Sequence, residues 1–170
     1  MRLHVGGTHS QQSGPRNDTQ QVRGQRPEAG GSPNDSRFTI HELTDWGQQL
    51  GASLKPGTII ALQGELGTGK TTLAQAICRG VGIREDVTSP TFALVNEYQS
   101  NGSSLFHLDL YRLAGPADLT NIAWDDIINS GSIVIVEWPE RAGDRMPDEA
   151  MRIHLDYIPG DDTRRTLTVG

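Results

Sequence analysis

Nine consecutive residues constrain this chain more than any others: Gly64-Glu65-Leu66-Gly67-Thr68-Gly69-Lys70-Thr71-Thr72. They fit G-x-x-x-x-G-K-[ST], the phosphate-binding P-loop. Each fixed position has a physical task. The glycines let the backbone curl so that its N–H groups point inward at phosphate oxygens. Lys70 supplies a point charge for the β- and γ-phosphates, and the Thr71 hydroxyl is a ligand for Mg2+. The run from Gly64 to Thr72 is therefore the candidate nucleotide cradle. The helix expected to follow turns the positive end of its dipole to the same anion.

The flanking residues supply the context that such a loop needs. Thr58-Ile59-Ile60-Ala61-Leu62 is short and apolar, as a buried parallel strand is. Thr72 to Arg79 reads as a helix ending at Gly80. Thirteen of the fifteen basic residues are arginine, and one of the two lysines stands at the motif's lysine position. Strand, glycine loop and helix in this order imply an α/β fold: a small P-loop NTPase domain with a mixed, mostly parallel sheet flanked by helices.

Composition divides the chain. Residues 1–36 are rich in Gly, Gln, Ser, Pro and Asn, and too poor in apolar side chains to offset their ordering entropy. They are expected to form a disordered tail, with the P-loop domain spanning 37–170. All nine aromatic residues lie between Phe38 and Tyr157. Residues 1–37 carry net charge +2, whereas the remainder sets ten basic residues against eighteen acids, net −8. An acidic body argues against tight, direct binding of nucleic acid. The single cysteine, Cys78, excludes an internal disulfide and fits a reducing, cytoplasmic setting, where it reads as a buried structural thiol. No apolar run reaches the ~18 residues of a membrane span.

Phe38-Thr39-Ile40 reads as a short edge strand. A helix over His41–Ser53 sets Leu43, Trp46 and Leu50 on one face, with Gly51 and Lys55-Pro56-Gly57 closing it. Beyond the P-loop helix, Thr88, Ser89 and Thr91 flank a proline and read by spacing as a capped turn. It leads into a strand over Ala93–Tyr98. The turn Ser100-Asn101-Gly102-Ser103 implies a hairpin with Leu105–Asp109. Two strands then end in carboxylates, Asp109 and Glu137. A strand beside a P-loop delivers an acid to the Mg2+ site, and Ile133-Val134-Ile135-Val136 is the better central parallel strand. His107 reads as a sheet histidine, since no second His or Cys stands at ligand spacing. Pro116 opens a short helix and Trp124–Ile128 another turn, with Asp125 and Asp126 as a solvated face. Arg141 and Arg145 lie in a loop that could face the phosphates. Met151–Tyr157 and Arg165–Val169 read as final strands around a turn at Asp161-Asp162.

The P-loop run, Ser89-Pro90-Thr91-Phe92, His107-Leu108-Asp109-Leu110-Tyr111-Arg112-Leu113 and Val136-Glu137-Trp138-Pro139-Glu140-Arg141 together resemble the TsaE (YjeE) family from about Phe38 onward. The H-x-D-x-Y-R-L and V-E-W-P runs carry the specificity. The resemblance implies an ATPase, slow alone, that binds ATP and Mg2+. It would act with the TsaB and TsaD proteins in forming threonylcarbamoyl-adenosine in tRNA. It carries Thr71 and Glu137 over as Mg2+ residues, with Asp109 as an acid beside them. Thr91 falls in a switch-like loop, and Trp138 lies near the nucleotide or partner. With Lys70, the residues Thr91, Asp109 and Glu137 form the implied catalytic set. Leu43 stands where the family usually offers a threonine near the adenine, and the usual glycine before Trp124 is missing. Two other functions fit a P-loop chain: a small-molecule kinase, and a nucleotide-dependent scaffold without significant hydrolysis.

Overall fold

The computed structural model describes residues 35–100 and 103–170. The expected tail therefore lies outside the described residues up to position 34, as do Asn101 and Gly102 at the hairpin tip. Two strands with almost no polar residue form the centre of the sheet: β2 (Ile59–Gln63) and β5 (Ile133–Glu137). A strand can be apolar on both faces only if both faces are covered. Here β2 sends Ile60 and Leu62 into one core cluster, and Ile59 and Ala61 into the other.

The sheet has seven strands in the order β1-β7-β6-β2-β5-β4-β3. The remaining strands are β1 (Asp35–Thr39), β3 (Val95–Ser100), β4 (Ser103–Asp109), β6 (Met151–Ile158) and β7 (Asp161–Val169). Pairing is parallel among β6, β2, β5 and β4. It is antiparallel in the two wings, β3 with β4 and β7 with β6 and β1. The sheet is thus mixed, as expected, with its parallel part confined to the centre. The edge strand predicted at Phe38 is β1, which begins at Asp35, ahead of the expected boundary at 37.

One face of the sheet is covered by α1 (Ile40–Ser53) and α2 (Lys70–Val81). Their core holds Leu43, Ile60, Leu73, Ile77 and Ile135. Thr39 starts α1 with a capping box, its hydroxyl accepting from Glu42 N–H while the Glu42 carboxylate accepts from Thr39 N–H. α1 ends at Ser53, as expected, and α2 runs on to Val81, past the glycine expected to end it. Gly51 lies inside α1 and Gly80 inside α2, because these are the points where the two helices touch. A Cβ at Gly51 would collide with the carbonyl of Ile77, and one at Gly80 with the carbonyl of Gln48. The glycines permit close approach; Gly82, with φ 99°, is the left-handed cap.

The other face carries a 3-10 turn over Pro116–Ile122 and the short α3 (Trp124–Ile128), which bury Leu119 and Trp124 against Val134 and Val136. Asp125 is not merely solvated: it accepts two hydrogen bonds from Arg145 Nη2, at 2.7 and 2.8 Å. Cys78 is buried in the first core, and burial pushes its thiol up to about 12.

Candidate functional site

The carboxyl ends of parallel strands are where α/β sheets place their ligands, and three strands end together here. β2 runs into the P-loop. β5 ends at Glu137, and β4 at Asp109, directly opposite Glu137 in the parallel register. The strand adjoining β2 on this side is β5, so Glu137 comes from the strand that lies next to the P-loop. A cavity of about 320 Å³ opens over these ends. Leu66, Gly67, Gly69, Lys70, Thr71 and Thr72 line it from the P-loop side. Thr91, Asp109, Tyr111, Glu137 and Trp138 line it from the other.

The remaining motif positions serve the loop. Gly64, at φ 135°, passes against the backbone of Leu155 in β6, where a Cβ has no room. Thr68 is buried and donates through Oγ1 to Glu65 O at 2.9 Å. Glu65 contributes its carbonyl, with its side chain in solvent. Gly69 takes φ 106° just ahead of α2. Lys70 Nζ donates to Gly64 O and Glu65 O at 2.7 and 2.8 Å, and lies 4.0 Å from the centre of the Trp138 ring. Burial holds its pKa below the usual lysine range, opposed by Glu137, Glu140 and Asp109.

Two hydroxyl–carboxylate pairs lie side by side in the lining of the cavity. Thr71 Oγ1 donates to Glu137 Oε2 at 2.9 Å. Thr91 Oγ1 donates to Asp109 Oδ2 at 2.6 Å, and lies 2.7 Å from Ser89 Oγ. Since the Thr91 proton goes to Asp109, the Ser89 hydroxyl donates to Thr91. The loop that looked like a capped turn therefore reaches the site. Its base is tied to β3, where Thr88 N–H donates to the Tyr98 hydroxyl at 3.1 Å. Arg112 stacks 4.5 Å from the ring of Phe92, which is otherwise exposed.

Three residues carry more of this geometry than their sequence context indicated. His107 is fully buried, with Nε2 2.8 Å from Glu137 Oε1. Tyr111 donates its N–H to Asp109 Oδ1 at 3.0 Å and packs its ring 4.9 Å from that of Trp138. The Tyr157 hydroxyl donates to Leu66 O at 2.9 Å, bracing the tip of the P-loop from β6. The signal for His107 was its spacing: on a strand, two residues before Asp109 is the same face. The expectation for the loop arginines is corrected. Neither Arg141 nor Arg145 lines the cavity, and Arg145 is drawn to Asp125 on α3. Leu43 is buried beneath Gly69 in the helix core.

The family model for the threonylcarbamoyl adenosine biosynthesis protein TsaE matches residues 39–166. The chain belongs to the TsaE family. Its described P-loop, acidic strand ends and Ser89–Phe92 loop all fall inside that match. Among curated relatives, the tRNA threonylcarbamoyladenosine biosynthesis protein TsaE of Synechocystis is 46% identical over 115 residues, covering 64% of this chain and 73% of the relative. The protein of the same name from Treponema pallidum is 35% identical, covering 77% of this chain and 95% of its own length. The crystal structure of Bacillus subtilis YdiB superimposes with a TM-score of 0.66 at 28% identity, covering 79% of this chain and 82% of that one. Among the described residues, no helix of this TsaE-family chain is long and apolar enough to cross a membrane.

Proposed function

We propose that this TsaE-family protein is an ATP-binding and ATP-hydrolysing subunit that works as a nucleotide switch in forming the threonylcarbamoyl modification of a tRNA adenosine, together with the TsaB and TsaD proteins in the cytoplasm. The observation that carries the reading is the pair of hydroxyl–carboxylate contacts, Thr71–Glu137 and Thr91–Asp109, which line one cavity together with Lys70. The first joins the P-loop helix to the central strand, the second a loop to the neighbouring strand.

The donor set fits a hard divalent cation. Thr71, Glu137 and Asp109 offer oxygen only, the ligand type Mg2+ takes. Among the described residues no three His, Cys, Asp or Glu side chains converge as a ready metal site. A cation carried in on phosphates would have its shell completed by Thr71 and one or both acids. When bound, Mg2+ would neutralise charge developing on the phosphates. The chain's own share is to cradle the phosphates with P-loop N–H groups and to place Lys70 beside them. Thr91, held on Asp109, would be the loop contact that a change at the γ-phosphate releases or recruits. An ordered loop that lets go on hydrolysis is the common device of P-loop switches.

Phosphate release measured with and without the TsaB–TsaD pair tests this reading. Slow release alone and faster release with the pair are expected. A phosphorylated small acceptor would favour a kinase, and binding without turnover a scaffold. Lys70→Ala removes the cation among the cavity's lining residues and the donor to two loop carbonyls, so nucleotide affinity or turnover should collapse. Wild-type values in that variant would overturn the site.

A further inference from the structure

We propose that His107 is a positioning residue for Glu137. Its Nε2–H holds one carboxylate oxygen so that the other stays aimed, beside Thr71, into the cavity. This rests on the reading of the site as a Mg2+–nucleotide site.

His107 lies in the middle of β4, opposite Ile135 of β5, and Glu137 follows on the same face of β5 one pleat further on. The side chains meet at 2.8 Å, with the histidine fully buried and Glu137 only 2% exposed. Glu137 is therefore gripped at both oxygens, Oε1 by His107 and Oε2 by Thr71. Of the two, the Thr71 contact is the one that bound cation would alter. Only the His107 contact can keep the carboxylate's orientation the same before and after loading.

The other ring nitrogen decides the tautomer. His107 Nδ1 is buried and has no hydrogen-bond partner among the described residues. With the proton on Nε2, the donor meets a carboxylate and only a weak acceptor is left unpaired. With the proton on Nδ1, a donor would be buried unpaired and two lone pairs would face each other. The geometry therefore places a proton on Nε2. An imidazole with one idle nitrogen is a poor way to fill a sheet, since an apolar side chain would avoid its desolvation. What the histidine adds is a fixed rotamer for the buried acid. Partners that orient metal-binding carboxylates typically govern affinity by 10–100-fold.

The test compares nucleotide binding with Mg2+ and with EDTA in the full chain and in H107Q, H107N and H107L. The glutamine amide nitrogen reaches the place of Nε2, whereas that of asparagine reaches only the place of Nδ1. H107Q should keep the Mg2+ enhancement within about threefold, while H107N and H107L should lose roughly tenfold or more. Binding in EDTA should be the same in all four. A folded H107L with the wild-type Mg2+ enhancement overturns the role of His107 alone. A wild-type chain with no Mg2+ enhancement overturns the site reading itself, and this inference with it. If the variants do not fold, nitrogen-resolved imidazole NMR of the wild type decides. A protected Nε2–H supports the assignment, and an Nδ1–H tautomer sinks it.

Discussion

Two carboxylates sit side by side at the strand ends, yet their surroundings differ. Glu137 is enclosed between a histidine and a threonine; Asp109 is held by a loop hydroxyl and by the N–H of Tyr111. Glu137→Gln keeps the shape, loses the charge, and turns an amide NH2 toward either the His107 donor or the Thr71 donor. Hydrolysis should fall by more than about 100-fold, read as phosphate release. Asp109→Asn should also slow turnover, by unfastening Thr91. An active Glu137→Gln beside a dead Asp109→Asn would hand the principal role to Asp109.

Among the elements, the pair α1 and α2 matters most to the site, because α2 begins at Lys70 and its axis sets the loop's aim. The two helices touch through glycine at Gly51 and Gly80. A methyl at either position meets backbone, which cannot swing aside as a side-chain tip does. Gly51→Ala and Gly80→Ala should each cost about 1–3 kcal/mol or more, lowering Tm by several degrees in thermal melts. Gly115 is the control, with extended backbone and nothing among the described residues near its added methyl. Gly115→Ala should leave Tm within about one degree, consistent with a surface change of less than 0.5 kcal/mol. Equal melting of all three variants would refute the packing account.

At the scale of the whole molecule, two predictions follow from where structure begins and from charge. Removing residues 1–34 should leave Tm nearly unchanged, by the low apolar content of that stretch. Removing 1–39 takes away β1, paired with β7, and the Thr39 cap of α1, and should lower Tm clearly. A large drop from the shorter deletion would refute the tail reading. The residues after 37 carry net −8, and tRNA phosphates repel such a body. The isolated chain should bind tRNA no more tightly than about millimolar at physiological salt, measured by fluorescence anisotropy. Its coupling to the modification would then run through protein contacts. Labelled chain titrated into the TsaB–TsaD pair should bind with different affinity in ATP and in ADP. Equal affinities, or micromolar tRNA binding by the chain alone, would remove the switch.

The P-loop, its strand and its helix were legible in the sequence because they are local: glycine dihedrals, a short apolar run and helical periodicity act over a few residues. The acid at Glu137 was legible for the same kind of reason, since a β-branched apolar run makes the strand that belongs beside the P-loop. Local chemistry could not say why Gly51 and Gly80 are glycine. It read them as stops, and only the crossing of two helices reveals them as contact points. Nor could it distinguish a core histidine from one holding Glu137, or free arginines from an Arg145 already paired with Asp125. Those contacts join residues 20 to 30 positions apart, and only sheet register and chain packing set them.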